Sequence, residues 1–182
     1  RTSGLIGPPA PPGFRRSASA HIYNIPRLLP AAKIVLREGL SATLLPKTRV
    51  GWGLLCRLIS RGRLRADKGG CDLEFDDLLE FGSDQLILLH APPALEVQPG
   101  APSWVSHLRR LTRRFAADVM LLLYPCYDGQ DEVNFARIAA LAQRYSLPLV
   151  ASAAPIMHHG ARRRLTDTLT AIRLGVRVDA LG

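Results

Sequence analysis

The sequence predicts an α/β fold in which buried strands alternate with amphipathic helices. Three apolar runs, at 85–89, 119–123 and 147–151, lack the alternation of apolar and polar residues that marks a strand with one wet face. Helical patterns over 102–117 and 131–145 separate these runs. This alternation is typical of a parallel sheet covered by helices. With 182 residues, 47% of them hydrophobic, the chain can bury the core of one such domain.

The first 30 residues differ in composition from the rest of the chain. The run GPPAPPG at 7–13 cannot form a helix or an inner strand, because proline fixes φ and lacks a backbone N–H. We therefore predict a disordered, proline-rich lead over residues 1–30 and an ordered domain over residues 31–182. The chain also starts at Arg1 rather than Met, as expected of a processed protein or of a piece of a longer one.

The ordered part is expected to open with a β-hairpin followed by a helix. Residues 33–37 and 41–45 are short β-rich runs, and a Glu-Gly turn pattern lies between them. Thr48 is then a good N-cap for a helix that we expect to run to about Ser60. The predicted apolar stripe of this helix comprises Trp52, Leu55, Leu58 and Ile59.

A short acidic helix over 76–81 is predicted next. Asp76 and Asp77 are favourable at the positive N-terminal end of a helix, and Gly82 favours its termination. Because Asp76 and Asp77 fall on different helix faces, we interpret the local carboxylates as solvated rather than catalytic. These carboxylates are Asp72, Glu74, Asp76 and Asp77.

The second half supplies the remaining helices. We expect one helix over 102–117, a second that Asp131 caps and that ends near Tyr145, and a last one over 162–174. In the first of these, Trp104, Leu108, Leu111 and Phe115 are expected to face inward. In the second, the inward residues are expected to be Phe135, Ile138, Ala139 and Ala142.

The carboxyl ends of the buried strands are the places where sheets of this kind bind ligands. His90 follows the first of these strands, Asp128 lies after the second, and His158 and His159 follow the third. Adjacent histidines can hold a metal or a phosphate when neighbouring loops add ligands. His158 and His159 are therefore the candidate metal ligands, and a polar loop with locally bonded histidines is the alternative.

Positive charge is concentrated at the start of the chain. Residues 1–70 hold 13 Lys and Arg against two Asp and Glu, whereas residues 71–182 hold 11 against 13. A basic first third attracts polyanions, nucleic acid first among them, although a merely solvated basic face would show the same pattern. The candidate nucleic-acid contacts are Arg61, Arg63, Arg65, Arg109, Arg113, Arg162 and Arg163.

Several other classes of protein are disfavoured. No apolar run approaches the roughly 18 residues of a membrane-spanning helix, and the N-terminus has no secretory signal pattern. The three cysteines are far apart and form no CxxC pair, so we interpret them as reduced thiols of a cytoplasmic protein. The chain contains no GxSxG, P-loop or GxGxxG motif.

Five motifs carry a family resemblance through their order and spacing. They are LCRLISRG at 55–62, KGGCDL at 68–73, DLL at 77–79, MHHGARRRLTD at 157–167 and LTAIRLG at 169–175. Together they resemble the N-terminal PHP (polymerase and histidinol phosphatase) domain of bacterial error-prone DNA polymerase III alpha subunits. The likeness covers about residues 31–182.

The resemblance implies an incomplete PHP-like, distorted (β/α)7 barrel with mostly parallel strands. It implies that the parent protein is an error-prone DNA polymerase used in DNA-damage-induced translesion synthesis, with DNA and other mutagenesis or replication proteins as partners, away from membranes. The catalytic aspartates of the family's palm lie downstream of the PHP region and have no counterpart here. The chain is therefore expected to act as a scaffold without catalysis of its own.

The metal motif of the resembled family is incomplete in this sequence. The family's His-containing first strand is replaced by the proline-rich lead, where only His21 occurs, and an Ala-Ala-Pro run at 153–155 stands where the family has an Asp. For intact members of the family the resemblance implies a divalent metal (Zn, Mn or Mg). In this chain we therefore expect a degenerate metal centre, although His158 and His159 remain. Two alternatives stay open: a stand-alone PHP-type metal-dependent phosphoesterase, and a non-catalytic nucleic-acid-binding module.

Overall fold

The fold is given by a computed structural model that describes residues 29–92, 104–127, 129–155, 157 and 159–181. The chain divides into two units, residues 1–30 and 31–182, and all the described strands and helices belong to the second. The predicted disordered lead lies outside the described residues except at Leu29 and Pro30, and it stays a prediction.

Five strands and five α-helices make up the described part of the domain. The strands are β1 (Ala32–Val35), β2 (Ser41–Pro46), β3 (Gln85–His90), β4 (Val119–Leu123) and β5 (Leu149–Ala151). The helices are α1 (Arg49–Arg65), α2 (Phe75–Phe81), α3 (Trp104–Phe115), α4 (Asp131–Tyr145) and α5 (Arg163–Leu174). Short 3-10 turns occupy Ala116–Asp118, Gly160–Arg162 and Val178–Ala180.

The strands form one sheet in the order of the chain, from β1 to β5. The pairs β1–β2 and β2–β3 are antiparallel, whereas β3–β4 and β4–β5 are parallel. Four of the five described strands therefore point the same way, and only β2 runs against them. Strands β1 and β5 are the two edges of the described sheet, which is open.

The predicted hairpin is confirmed as β1 and β2. Ala32 pairs with Leu44 and Val35 pairs with Ser41 in antiparallel register. The turn after β1 is closed by a 2.8 Å hydrogen bond that the backbone N–H of Leu36 donates to the carbonyl of Leu40. Gly39 in this turn has a φ of +81°, a conformation that glycine adopts without the steric cost of a side chain.

The main hydrophobic core lies between one face of the sheet and helices α1 to α4. The sheet contributes Ile34, Leu44, Ile87, Leu89 and Leu121, and the helices contribute Leu55, Leu78, Leu108 and Ile138. Leu88 and Leu122 are also buried but fall outside this cluster, because successive residues of a strand point to opposite faces. Helices α1 to α4 therefore cover the same face. For α3 and α4, which link the parallel pairs β3–β4 and β4–β5, right-handed crossovers require this.

Helix α1 begins as predicted but is longer. The side-chain oxygen of Thr48 accepts hydrogen bonds from the backbone N–H groups of Val50 at 3.1 Å and Gly51 at 3.3 Å, which makes it the N-cap. The predicted end near Ser60 is wrong, since the helix continues to Arg65. No proline interrupts this stretch, and Arg61 and Arg65 in the additional turn bind carboxylates of α2.

The predicted apolar stripe of α1 is wrong at one position. Leu55 and Leu58 are buried as expected, but Trp52 is 43% exposed. The buried side is instead completed by Gly51, where a Cβ would stand only 2.3 Å from the backbone oxygen of Asp84. The helix can approach the loop before β3 this closely only because residue 51 has no side chain.

The third predicted buried strand proves to be an exposed edge. Strand β5 begins at Leu149, two residues later than expected, and Leu149 is 43% exposed. The difference arises because β5 has a neighbouring strand on one side only in the described sheet. Helix α5, which follows it, buries only Ala171 among its residues.

The α/β class and the parallel arrangement of the later strands are confirmed. The open sheet of the described residues agrees with an incomplete barrel, while the PHP-like barrel itself stays a prediction. Within the ranges that the structure describes, no helix has both the length and the apolar character needed to cross a membrane.

Candidate functional site

The carboxyl ends of β3 and β4 bring together three polar side chains. His90 is the last residue of β3, and Tyr124 directly follows β4. The His90 Nδ1 lies 3.3 Å from the Tyr124 hydroxyl, and its Nε2 lies 2.9 Å from the hydroxyl of Thr43 on β2. Both ring nitrogens of His90 therefore have hydrogen-bonding partners inside the sheet.

The surroundings of His90 keep its imidazole neutral. Burial is the main cause that lowers the pKa of His90 to about 4, and the positive charge of Lys33 lowers it further. Burial also raises the pKa of the neighbouring Tyr124 hydroxyl. At neutral pH the row Thr43, His90 and Tyr124 is thus an uncharged hydrogen-bonded set that links three strands.

The described residues do not fit a divalent metal at this edge. His159 precedes a 3-10 turn, and its Nδ1 accepts a 3.2 Å hydrogen bond from the backbone N–H of Ala161. Within the described ranges no three His, Cys, Asp or Glu side chains are grouped to hold an ion. His158 and Asp128 lie outside the described residues, so the metal prediction for His158 and His159 stays a prediction.

A second polar centre lies between α1 and α2, around Asp77. Its carboxylate is bound by both terminal nitrogens of Arg65, at 2.8 and 3.1 Å, and lies 3.5 Å from Arg61. It also accepts a 2.9 Å hydrogen bond from the backbone N–H of Glu74. The side chain of Asp77 is only 5% exposed, so the interpretation of all four local carboxylates as solvated is wrong at this residue.

The protonation of this centre follows from its contacts. Burial by itself would raise the pKa of Asp77, but the hydrogen bonds from Arg65 and the Glu74 backbone, with the charge of Arg65, lower it below the ordinary value. Arg61 is held in addition by Glu80, with nitrogen–oxygen distances of 2.5 and 3.3 Å. Asp77, Arg61 and Arg65 are therefore all charged at neutral pH and serve to join α1 to α2.

The remaining candidate arginines lie in different settings. Arg63 donates hydrogen bonds to the carbonyls of Gly69 and Gly70, both at 3.0 Å, and so fixes the loop after α1. Arg109 and Arg113 are exposed on α3 and have no acidic partner among the described residues.

The arginines that open α5 are separate from those on α1 and α3 in the chain and in their partners. Arg162 closes the 3-10 turn before α5, and Arg163 lies 3.6 Å from Asp167 in the first turn of that helix. The sequence predicts them in one candidate set with the others, and the structure gives Arg163 a local contact that stabilises its helix.

Two open grooves flank helix α2. The first, termed the α1 groove, has a volume of about 590 Å³ and is lined by Cys56, Arg57, Ser60, Arg61, Leu64, Arg65 and Phe81. The second, termed the α3 groove, has a volume of about 290 Å³ and is lined by Leu79, Arg110, Arg113 and Arg114. Arg57, Arg110 and Arg114 were absent from the predicted set, although the spacing of Arg57, Arg61 and Arg65 by four residues places them on one helix face.

Comparison with known proteins gives this geometry a context. No protein-family model matches the chain. The chain is 38% identical over 160 residues to the error-prone DNA polymerase of Ruegeria pomeroyi, a match that covers 87% of this chain and 14% of that protein. It is 37% identical over 169 residues to the error-prone DNA polymerase of Sinorhizobium medicae, covering 92% of this chain and 15% of that protein.

This chain is homologous to a segment of error-prone DNA polymerases. A third relative, error-prone DNA polymerase 1 of Rhizobium meliloti, is 36% identical over 169 residues. The chain spans about one seventh of the length of the error-prone DNA polymerases that it matches. The predicted resemblance to the error-prone polymerases is thereby confirmed.

Proposed function

We propose that this chain is a PHP-like scaffold domain of an error-prone DNA polymerase and has no catalysis of its own. The observation that carries the proposal is the alignment of about nine tenths of this chain with about one seventh of proteins that are named error-prone DNA polymerase. The parent polymerase would copy damaged DNA in the cytoplasm, with DNA and other mutagenesis or replication proteins as partners.

The geometry supports a scaffold role in two ways. Four of the five described strands point the same way and carry helices α1 to α4 on one face, which is the arrangement expected of an arc of a barrel. Among the described residues of the carboxyl edge, the polar side chains of Thr43, His90 and Tyr124 bind one another instead of converging on open space. Polar side chains that are already hydrogen-bonded to one another suit a domain that supports a neighbouring catalytic domain.

A segment exchange in a relative tests the proposal. The matching segment of the Ruegeria pomeroyi polymerase is replaced by the corresponding residues of this chain, and primer extension is measured. We expect the chimera to be soluble and to extend a primer within about tenfold of the parent, a loss of about 1.4 kcal/mol or less. A deletion of the segment is the control, and we expect it to be insoluble or inactive. A soluble, folded chimera without primer extension contradicts the proposal.

The alternative of a stand-alone metal-dependent phosphoesterase makes a different prediction. Such an enzyme needs three or more protein ligands around its metal, and no such group occurs in the described part of the chain. Elemental analysis of the purified chain distinguishes the two. About one equivalent of bound metal with release of phosphate from a generic phosphoester favours the phosphoesterase, whereas the scaffold predicts neither.

A further inference from the structure

Three neighbouring helices carry an uneven distribution of charge. Helices α1 and α3 together hold nine arginines and no acidic residue, whereas α2 holds three carboxylates, Asp76, Asp77 and Glu80. Helix α2 contacts both α1 and α3, so the three helices form one continuous surface. This surface therefore has an excess of positive charge.

The carboxylates of α2 are already paired. The pairs are Asp77 with Arg65 at 2.8 Å, Glu80 with Arg61 at 2.5 Å and Asp76 with Arg110 at 2.9 Å. These contacts use three of the nine arginines to hold the helices together. They leave no carboxylate on α2 to neutralise the other arginines.

On this surface, the arginines without an acidic partner among the described residues lie on α1 and α3. Arg57 on α1 lines the α1 groove beside the hydroxyl group of Ser60. Arg113 and Arg114 on α3 line the α3 groove, and Arg109 lies one turn earlier on the same helix. Unpaired guanidinium groups in a concave, partly apolar surface raise the local potential and attract phosphate oxygens.

The spacing of the two grooves suits an extended polyanion. Phe81 lines the α1 groove and Leu79 lines the α3 groove, so the grooves lie on opposite sides of the same seven-residue helix. The width of an α-helix is about 10 Å, and successive phosphates of one strand in duplex DNA advance by about 3.4 Å along the axis of the DNA helix. A strand that reaches from one groove to the other therefore spans about three nucleotides.

We propose that this chain binds the phosphodiester backbone of DNA across helix α2, through Arg57 in the α1 groove and Arg113 and Arg114 in the α3 groove. The choice of DNA among polyanions rests on the proposed polymerase function. Arg61 and Arg65 do not release their carboxylates to bind phosphate. Arg61 instead covers the ring of Phe81 at 4.6 Å and forms one wall of the α1 groove.

The salt dependence of DNA binding by the whole purified chain tests the proposal. Binding of a fluorescent duplex of about 20 base pairs is followed between about 50 and 200 mM NaCl, and the logarithm of affinity is plotted against the logarithm of salt concentration. In the double variant Arg57→Gln/Arg113→Gln, we expect the slope to become shallower by about two, one unit for each lost phosphate contact. The charge-preserving variant Arg57→Lys/Arg113→Lys is expected to keep the parent slope.

A matched control removes the same charge elsewhere. Arg144→Gln/Arg173→Gln alters exposed arginines of α4 and α5, and we expect the parent slope. The proposal is overturned if the parent shows no salt-dependent binding of DNA, or if Arg57→Gln/Arg113→Gln keeps the parent slope. It is also overturned if the slope of the control variant becomes shallower by as much as that of Arg57→Gln/Arg113→Gln. If the polymerase chimera extends primers while this chain does not bind DNA, only the DNA-binding surface is refuted and the scaffold role stands.

Discussion

Asp77 lies in the first turn of α2, and its carboxylate accepts hydrogen bonds from both terminal nitrogens of Arg65, the last residue of α1. The two residues are 12 positions apart, and the loop between the helices connects them. Asp77 also accepts the backbone N–H of Glu74 and so stabilises the start of its own helix. One buried side chain thus fixes both the start of α2 and its position against α1.

Replacing Asp77 therefore tests the junction between the two helices. We expect Asp77→Asn to lower the free energy of unfolding by roughly 1.5–3 kcal/mol, because two charge-assisted hydrogen bonds from Arg65 are weakened. The control is Asp76→Asn, whose side chain is 79% exposed and whose pairing with Arg110 is open to solvent. That variant should stay within about 0.5 kcal/mol of the parent in urea unfolding. Equal losses in the two variants would contradict the role of Asp77.

The stabilities of the parent and of Asp77→Asn, compared at different pH values, test the lowered pKa of Asp77. The pKa of Asp77 is lowered in the folded chain, whereas an unfolded Asp takes up its proton near pH 3.9. The stabilisation by Asp77 is therefore complete above that value and is lost as the pH falls through the lower folded pKa. We expect the stability difference between the parent and Asp77→Asn to shrink below about pH 4. A difference that stays constant from neutral pH to pH 3 would show that the pKa is not shifted.

The two glycines near the start of α1 are expected to respond in opposite directions to alanine. At Gly51 a Cβ would stand 2.3 Å from the backbone oxygen of Asp84, so Gly51→Ala should cost about 1–3 kcal/mol of stability. At Gly53 nothing lies within 4 Å, so Gly53→Ala should gain up to about 1 kcal/mol from helix propensity. Thermal and urea unfolding of both variants measure this. Stabilisation by Gly51→Ala would mean that α1 does not approach Asp84 so closely.

The lowered pKa of His90 leads us to expect a second dependence of stability on pH. The folded chain resists protonation of His90 until about pH 4, whereas an unfolded histidine is protonated near pH 6.5. Acidification between these values therefore adds a proton to the unfolded state first and favours unfolding. We expect the parent to lose stability over this range more steeply than His90→Gln. Parallel curves for the two proteins, measured by urea unfolding at successive pH values, would refute the shift.

One charged substitution in β4 and one in β5 test which of the two strands is central and which is at the edge of the sheet. Leu122 is 7% exposed, so Leu122→Asp buries an uncompensated carboxylate and should cost roughly 3–5 kcal/mol. Leu149 is 43% exposed on the edge strand, and Leu149→Asp should stay within about 1 kcal/mol of the parent. Melting temperatures of the two variants give the measurement. A Leu122→Asp variant that melts like the parent would show that β4 is not a central strand.

The exposure of the edge strand β5 could not be predicted from the apolar pattern of its sequence. The runs that became β3 and β4 are buried, and the run predicted at 147–151 is equally apolar, yet β5 is exposed. An apolar composition indicates that a segment favours burial, but the neighbouring strands and helices decide whether the segment is actually covered. In α5, the apolar residues Leu165, Leu169 and Ile172 share a helix face and are 51%, 58% and 72% exposed for the same reason.

The sequence alone determined the order of the strands and helices and the cap at Thr48, because apolar periodicity and capping depend on residues within a few positions of each other. The tertiary structure alone decided which arginines pair with a carboxylate among the described residues, and that Asp77 is buried while Asp76 is exposed. It also brought His90 to Thr43, 47 positions away. Such contacts depend on the packing of distant segments, which no local pattern of residues encodes.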